Sequence, residues 1–250
     1  MSKVLAGAEP FRFEGERRPV LLLHGFTGTT QSMRYVGERL NARFGFTVAA
    51  PRLAGHGTSP DDMAETGYRD WLGSAEATLQ ELAGGGEKVC VAGLSMGGAL
   101  TLNLAARFPD LVAGAVSING AAGIFSEPLA ELMLTSEAPE RIPGIGSDIK
   151  AEGVTELAYQ EVPVDCLREL YVLVAATRDL LPRITAPLLV MQSRDDHVVH
   201  PDNARVIVNA VASDDVRLLR LNDSYHVATL DNDKDLIVER MAAFFAALDI

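Results

Sequence analysis

The chain has little of what staples, spans or neutralises. Its two cysteines, Cys90 and Cys166, lie far apart, with no CxxC spacing and no Cys/His cluster nearby. Neither a disulfide framework nor a zinc site is indicated. Positive charge is in short supply: 22 Lys and Arg stand against 34 Asp and Glu, a formal net charge of −12. Binding a phosphate backbone relies on clustered Lys and Arg that release counterions, and no basic run is present, so nucleic acid is not an expected partner. Long apolar runs are missing as well. Stretches such as 111–118 and 241–248 fall far short of the ~18–20 residues that cross a bilayer, and no transmembrane segment is expected. The opening MSKVLAGAEPF carries one lysine and then an apolar stretch shorter than the roughly 7–15 residues of a signal-peptide core. Cytoplasmic residence is the expectation; transient contact with lipid interfaces and the oligomeric state stay open.

What is present is an ordinary globular composition, 250 residues that are 48% hydrophobic and 22% charged, enough for one large core with a small appendage. Short apolar runs rich in Val, Leu and Ile recur at 20–23, 47–50, 89–92, 112–118, 188–192 and 216–221 and read as buried strands. Helical spacing occupies 31–44, 68–82, 97–107, 203–211 and 233–248. Such alternation argues for a parallel sheet covered on both faces. It lapses between about 121 and 183, where Pro128, Pro139, Pro143 and Pro163 punctuate short helical pieces before a clearer helix at 164–179. Residues 121–183 therefore read as an inserted cap, and 1–120 with 184–250 as the core.

The most informative segment is Val89-Cys90-Val91-Ala92-Gly93-Leu94-Ser95-Met96-Gly97-Gly98, an apolar strand running through G-x-S-x-G into a helix. A serine on so sharp a turn projects its hydroxyl above the sheet. Gly93 and Gly97 fit where a side chain would strike backbone, and the helix N-terminus favours negative charge on an attacked carbonyl oxygen. A serine hydroxyl needs a base to take its proton, and the base needs an orienting acid. Among five histidines, His226 follows the last predicted strand and is the best candidate. His24 and His56 read as loop anchors, and His197 and His200 as surface or scaffold residues. The acid should leave the strand at 188–192, where Asp195 and Asp196 compete; the residues alone leave that choice open. The order Ser, Asp, His is the one expected of α/β-hydrolases. Two backbone donors should hold the oxyanion: the N–H of Met96, and the N–H of Phe26 in the bend between Gly25 and Gly28.

Taken together, these residues resemble the serine-hydrolase branch of the α/β-hydrolases, and more narrowly the bacterial monoacylglycerol lipases and related small carboxylesterases. The resemblance runs through Gly7-Ala8-Glu9-Pro10-Phe11, His24-Gly25-Phe26-Thr27-Gly28, Pro51-Arg52-Leu53-Ala54-Gly55-His56-Gly57, Gly93 to Gly98, Asp196-His197-Val198-Val199 and Ser224-Tyr225-His226-Val227-Ala228-Thr229-Leu230-Asp231, and in the cap through Ile145-Gly146-Ser147-Asp148 and Glu156-Leu157-Ala158-Tyr159. It implies an α/β-hydrolase fold, a mostly parallel central sheet flanked by helices with a small inserted cap. It also implies Ser95 as nucleophile, Asp196 as acid, His226 as base and the Phe26 and Met96 amides as the oxyanion hole. By the same likeness, Ile145 closes over an acyl chain and Glu156 accepts hydrogen bonds from glycerol hydroxyls. The apolar residues Ile124, Phe125, Leu129, Leu132, Met133 and Leu134 have the surface to line a tunnel for such a chain, at about 0.8 kcal/mol per buried methylene. The expected activity is hydrolysis of monoacylglycerols through an acyl-enzyme, with a small-molecule lipid ester as substrate and neither metal nor organic cofactor. A general short-chain carboxylesterase is the nearest alternative, and a ligand-binding protein on the same scaffold a remoter one.

Overall fold

In the computed structural model, which describes residues 2–135 and 137–248, the chain opens with β1 (Phe11–Phe13) and β2 (Arg17–Leu23). There follow α1 (Gln31–Phe44), β3 (Phe46–Ala50), α2 (Pro60–Ala64), α3 (Tyr68–Ala83), β4 (Val89–Leu94), α4 (Met96–Arg107) and β5 (Val112–Ile118). The next stretch leaves the sheet as α5 (Glu127–Leu134), β6 (Arg141–Pro143), β7 (Glu161–Pro163) and α6 (Val164–Leu180). The pattern resumes with β8 (Leu188–Ser193), α7 (Asn203–Ala210), β9 (Val216–Leu221) and α8 (Lys234–Ala246). The strands and helices expected from the apolar pattern are present within a few residues. The short β1, α2, β6 and β7 carry too few residues to show a period, and the sequence pattern did not mark them.

Seven strands form one sheet in the order β1-β3-β2-β4-β5-β8-β9. Only β1 pairs antiparallel, against β3; the neighbours from β3 across to β9 pair parallel. Period-two alternation sorts each strand's side chains between two cores. Along β2, Val20 and Leu22 join Met33, Val36 and Leu40 of α1 and Phe244 and Phe245 of α8. Leu21 and Leu23 join Trp71 and Leu79 of α3 and Leu100 and Leu104 of α4 on the opposite face. Burial on both faces explains why these strands read as continuous apolar runs. A left-handed Gly45, with φ 74°, ends α1, and its N–H returns to Asn41 and Leu40, which lets the chain turn straight into β3.

Strand order fixes where chemistry can occur. From β2 the chain goes to one side to make β3, then returns to the other side of β2 to make β4. The loops leaving β2 and β4 diverge there and open a crevice at the strand C-termini, the usual ligand site of an open α/β sheet. Gly25 and Phe26 leave β2 at this point, and Ser95 leaves β4.

Candidate active site

Ser95 sits between β4 and α4 with φ 58° and ψ −117°, a conformation that costs an L-residue on the order of 1–3 kcal/mol and persists only where its surroundings enforce it. The enforcement is visible. A Cβ on Gly93 would lie 2.1 Å from the carbonyl oxygen of Gly97, and one on Gly97 would lie 2.1 Å from that of Leu23. The turn is therefore clamped between β2 and its own helix, and the Ser95 N–H is fixed on the carbonyl of Ile118 at 2.9 Å. Ser95 lines a cavity of about 300 Å³ together with Gly25, Phe26, Met96, Ile145, Glu156 and His226.

His226 lies in the loop between β9 and α8 and is buried. Its Nδ1 stands 3.0 Å from each carboxylate oxygen of Asp196. Asp196 is held in turn: Oδ1 accepts from the N–H groups of Val198 and Val199 at 3.0 and 2.8 Å, and Oδ2 from the Gln192 amide at 3.1 Å. Asp195 is exposed while Asp196 is buried, so the one-residue step that the pattern left open is decided by the direction in which β8 delivers its side chains. A carboxylate so placed can hold an imidazole's Nδ1–H tautomer and orientation.

The loop after β2 is braced by two buried histidines. His24 accepts the N–H of Leu53 on Nε2 at 3.2 Å and donates from Nδ1 to the carbonyl of Gly25 at 2.9 Å. His56 donates from Nδ1 to the carbonyl of Ala54 at 2.9 Å, and its ring packs edge-on against Phe26 and Trp71. Burial disfavours their charged forms, pushing His24 down to about 3 and His56 down to about 4; both serve as neutral anchors. Phe26 belongs to the core and also lines the cavity. Among the described residues no other group takes up the N–H of Phe26 or of Met96, as a site for a developing oxyanion requires.

The stretch between β5 and β8 supplies the cavity's other wall. Ile124, Phe125 and Leu129 line it, with Leu167, Leu170 and Val174 of α6. Leu132 and Met133 do not reach the cavity, and Leu134 is 88% exposed: α5 turns only one narrow face inward, so the expected tunnel lining is half as long as the apolar run. Ile145, 55% exposed, lies at the rim. The Glu156 carboxylate rests over Gly28, where a Cβ would come within 2.6 Å of Oε1. Burial raises Glu156 to about 7 against the opposing pull of His226 and the Ser32 hydroxyl. Its backbone is pinned on three sides: the Glu156 N–H donates to Ser147 Oγ at 2.8 Å, while the Gln31 amide donates to the Thr155 carbonyl at 3.2 Å and accepts the Leu157 N–H at 3.0 Å.

Several residues that hold this arrangement have no role readable in the sequence. Asn119, left-handed at φ 47° just past β5, donates to the carbonyl of His226 at 2.7 Å and to Ser193 Oγ at 3.0 Å, and accepts the Ser193 N–H at 2.7 Å. Asn203 at the start of α7 accepts the N–H groups of Ala122 and Ile124 and donates to the Ile124 carbonyl, fixing the entry to the cavity wall. Asp231, fully buried, gathers the N–H groups of Tyr225, Lys150, Ala151 and Asn232. An Asn or Asp beside a turn is the only signal each one gives, and it is shared with many surface turns.

Two family models match the chain: the alpha/beta hydrolase fold over residues 18–144, and the serine aminopeptidase S33 family over residues 147–233. The chain is 46% identical to a thermostable monoacylglycerol lipase of Bacillus sp. strain H-257, over 97% of its own length and 96% of the relative's. It is 34% identical to a carboxylesterase of Bacillus subtilis, over 96% and 97%. Among solved structures, it superposes with a TM-score of 0.94 and 50% identity on one from a study of LipS and LipT, two metagenome-derived lipolytic enzymes, covering 98% of this chain and 99% of that one.

Proposed function

Because the chain belongs to the α/β-hydrolase fold family, and its full-length relatives include a monoacylglycerol lipase and a carboxylesterase, we propose that it hydrolyses monoacylglycerols to fatty acid and glycerol through an acyl-enzyme on Ser95. The observation that carries this reading is one cavity that holds Ser95, His226 and the half-buried Glu156 within largely apolar walls.

Ser95 Oγ attacks the ester carbonyl as His226 takes its proton. The Phe26 and Met96 N–H groups carry the negative charge that moves onto the carbonyl oxygen, a contribution typically worth about 3–4 kcal/mol per donor. His226 then protonates the departing glycerol oxygen, leaving a fatty-acyl ester on Ser95. Water, deprotonated by the same ring, releases the acid. Asp196 holds the imidazole's orientation and stabilises its charged form throughout.

Residues 121–183 act as the cap. The walls supplied by Ile124, Phe125, Leu129 and α6 take the acyl chain, with Ile145 closing the rim. Glu156 receives the glycerol hydroxyls, which need partners once water is excluded, since an unpaired buried polar group costs about 1–3 kcal/mol. This last feature favours a glycerol ester over a simple alkyl ester of the same acid. The test is a comparison of kcat/KM for a monoacylglycerol and the methyl ester of the same fatty acid, alongside di- and triacylglycerols and short nitrophenyl esters. A preference of tenfold or more for the monoacylglycerol is expected. Equal rates on glycerol and methyl esters, with a maximum at short acyl length, would make the enzyme a general carboxylesterase.

A further inference from the structure

The base is gripped from two directions. Its carbonyl is held from the core by Asn119 at 2.7 Å. Its N–H is held from the cap segment between β6 and β7, by Asp148 Oδ2 at 3.1 Å. The same oxygen accepts the N–H of His197, the residue that follows Asp196, at 3.2 Å, and Oδ1 pairs with His197 Nδ1 at 2.8 Å. The Asp148 main-chain carbonyl accepts the N–H of Val227 at 3.0 Å. One cap residue thus joins the loop of the acid to the loop of the base. Its neighbour Ser147 fixes Glu156, so the strip of chain that presents the substrate wall is also the strip that locates the imidazole.

We propose that Asp148 is a positioning residue for His226, holding the ring over Ser95 by fixing the His226 peptide from the cap side. The inference rests on the reading of Ser95 and His226 as the reacting pair. Without the Asp148 side chain, His226 itself keeps only its bonds to Asn119 and Asp196, and two N–H groups, those of His226 and His197, lose their acceptor. Displacing a reacting group by about 1 Å costs up to about 10²-fold in rate, so the loss falls on kcat. A second consequence concerns motion. Asp231 also ties Lys150 and Ala151 to the N–H of Tyr225, so residues 148–151 cannot swing from the sheet without drawing His226 away from Asp196.

The test uses the full chain, a short-acyl nitrophenyl ester that does not engage the glycerol pocket, and the rate of labelling by a fluorophosphonate. Asp148→Ala is expected to lower kcat by about 10–100-fold with KM within about twofold, and to slow labelling in parallel. His197→Ala leaves both backbone donors on the carboxylate and is expected to change kcat by less than about threefold. Wild-type kcat in folded Asp148→Ala overturns the proposal, as does a defect confined to KM. If the alanine variant does not fold, Asp148→Ser decides: its shorter side chain withdraws the oxygen that the His226 N–H uses and is expected to lose about 3–10-fold in kcat, and a wild-type kcat there overturns the proposal equally. Ser95→Ala on the same ester separates the two levels. If it is inactive while Asp148→Ala is normal, only the positioning role falls; if it retains full turnover, the nucleophile assignment falls and this role with it.

Discussion

The two halves of the cavity are built in different ways. The half under β2 and β4, with Ser95, Phe26 and Met96, is set by close backbone packing: glycines clamp the Ser95 turn, and two neutral, buried histidines brace the neighbouring loop. The half made by the cap is set by polar side chains reaching across the fold, with Ser147 on Glu156, Gln31 on its neighbours Thr155 and Leu157, and Asp148 and Asp231 on the loop of His226. Packing of the first kind fixes atoms that must meet a developing charge, where small displacements are expensive. Hydrogen bonds of the second kind leave the cap's surface free to vary, since each needs only a donor and an acceptor in place. On the proposed reading, chemistry is lodged in the sheet and selectivity in the insertion.

The comparison breaks most decisively at Ser95. Ser95→Ala should abolish fluorophosphonate labelling and lower ester turnover by at least about 10⁴-fold, on glycerol and methyl esters alike, as measured by steady-state kinetics. Next comes the acid. Asp196→Asn should lower kcat by about 10³–10⁴-fold, because an amide favours the wrong imidazole tautomer, while the exposed Asp195→Asn should stay within about twofold. The reverse order would transfer the orienting role.

A cap change should behave differently. Glu156→Gln is expected to lower kcat/KM for a monoacylglycerol by about 10-fold while sparing the methyl ester, the discrimination carried by one or two buried hydrogen bonds. With Glu156 raised to about 7, its ionised form predominates above that pH, and charge-assisted bonds to hydroxyls are stronger than neutral ones. The preference for the glycerol ester should therefore grow as pH rises from 6 to 8, and should be flat in Glu156→Gln.

The smallest effect belongs to the braces of the core half. His24 and His56 have folded values near 3 and 4, well below the ordinary 6.5, so the unfolded chain binds protons that the folded chain refuses. Their contribution to stability is complete above about pH 6.5 and is lost progressively as pH falls toward 4 and then 3. Melting temperature should decline over that window, and His56→Gln, having no such proton to refuse, should show a shallower decline.

Much of the core half was legible in the sequence. G-x-S-x-G after an apolar strand, glycines bracketing Phe26, and His226 after the last strand all follow from local requirements of a turn or a period, and local requirements leave a local mark. The cap half was not legible in the same way. Ile145 and Glu156 were reachable only by resemblance, and the apolar run in α5 overstated the cavity lining because burial depends on which face meets α6. Asn119 and Asn203 left no pattern to read, and Asp148 and Asp231 stood in segments of the resemblance that gave them no role.

From the sequence alone came the α/β alternation, the sharp serine turn and the order of nucleophile, acid and base, because backbone geometry and hydrophobic period are properties of neighbours in the chain. The resemblance already pointed to Asp196 rather than Asp195; the tertiary structure alone put that carboxylate against the imidazole and brought the Asp148 side chain, 78 residues before His226, to the histidine's N–H. A hydrogen bond between distant residues exists only after the sheet has brought its loops to one end, and no spacing along the chain encodes the direction of the atoms that make it.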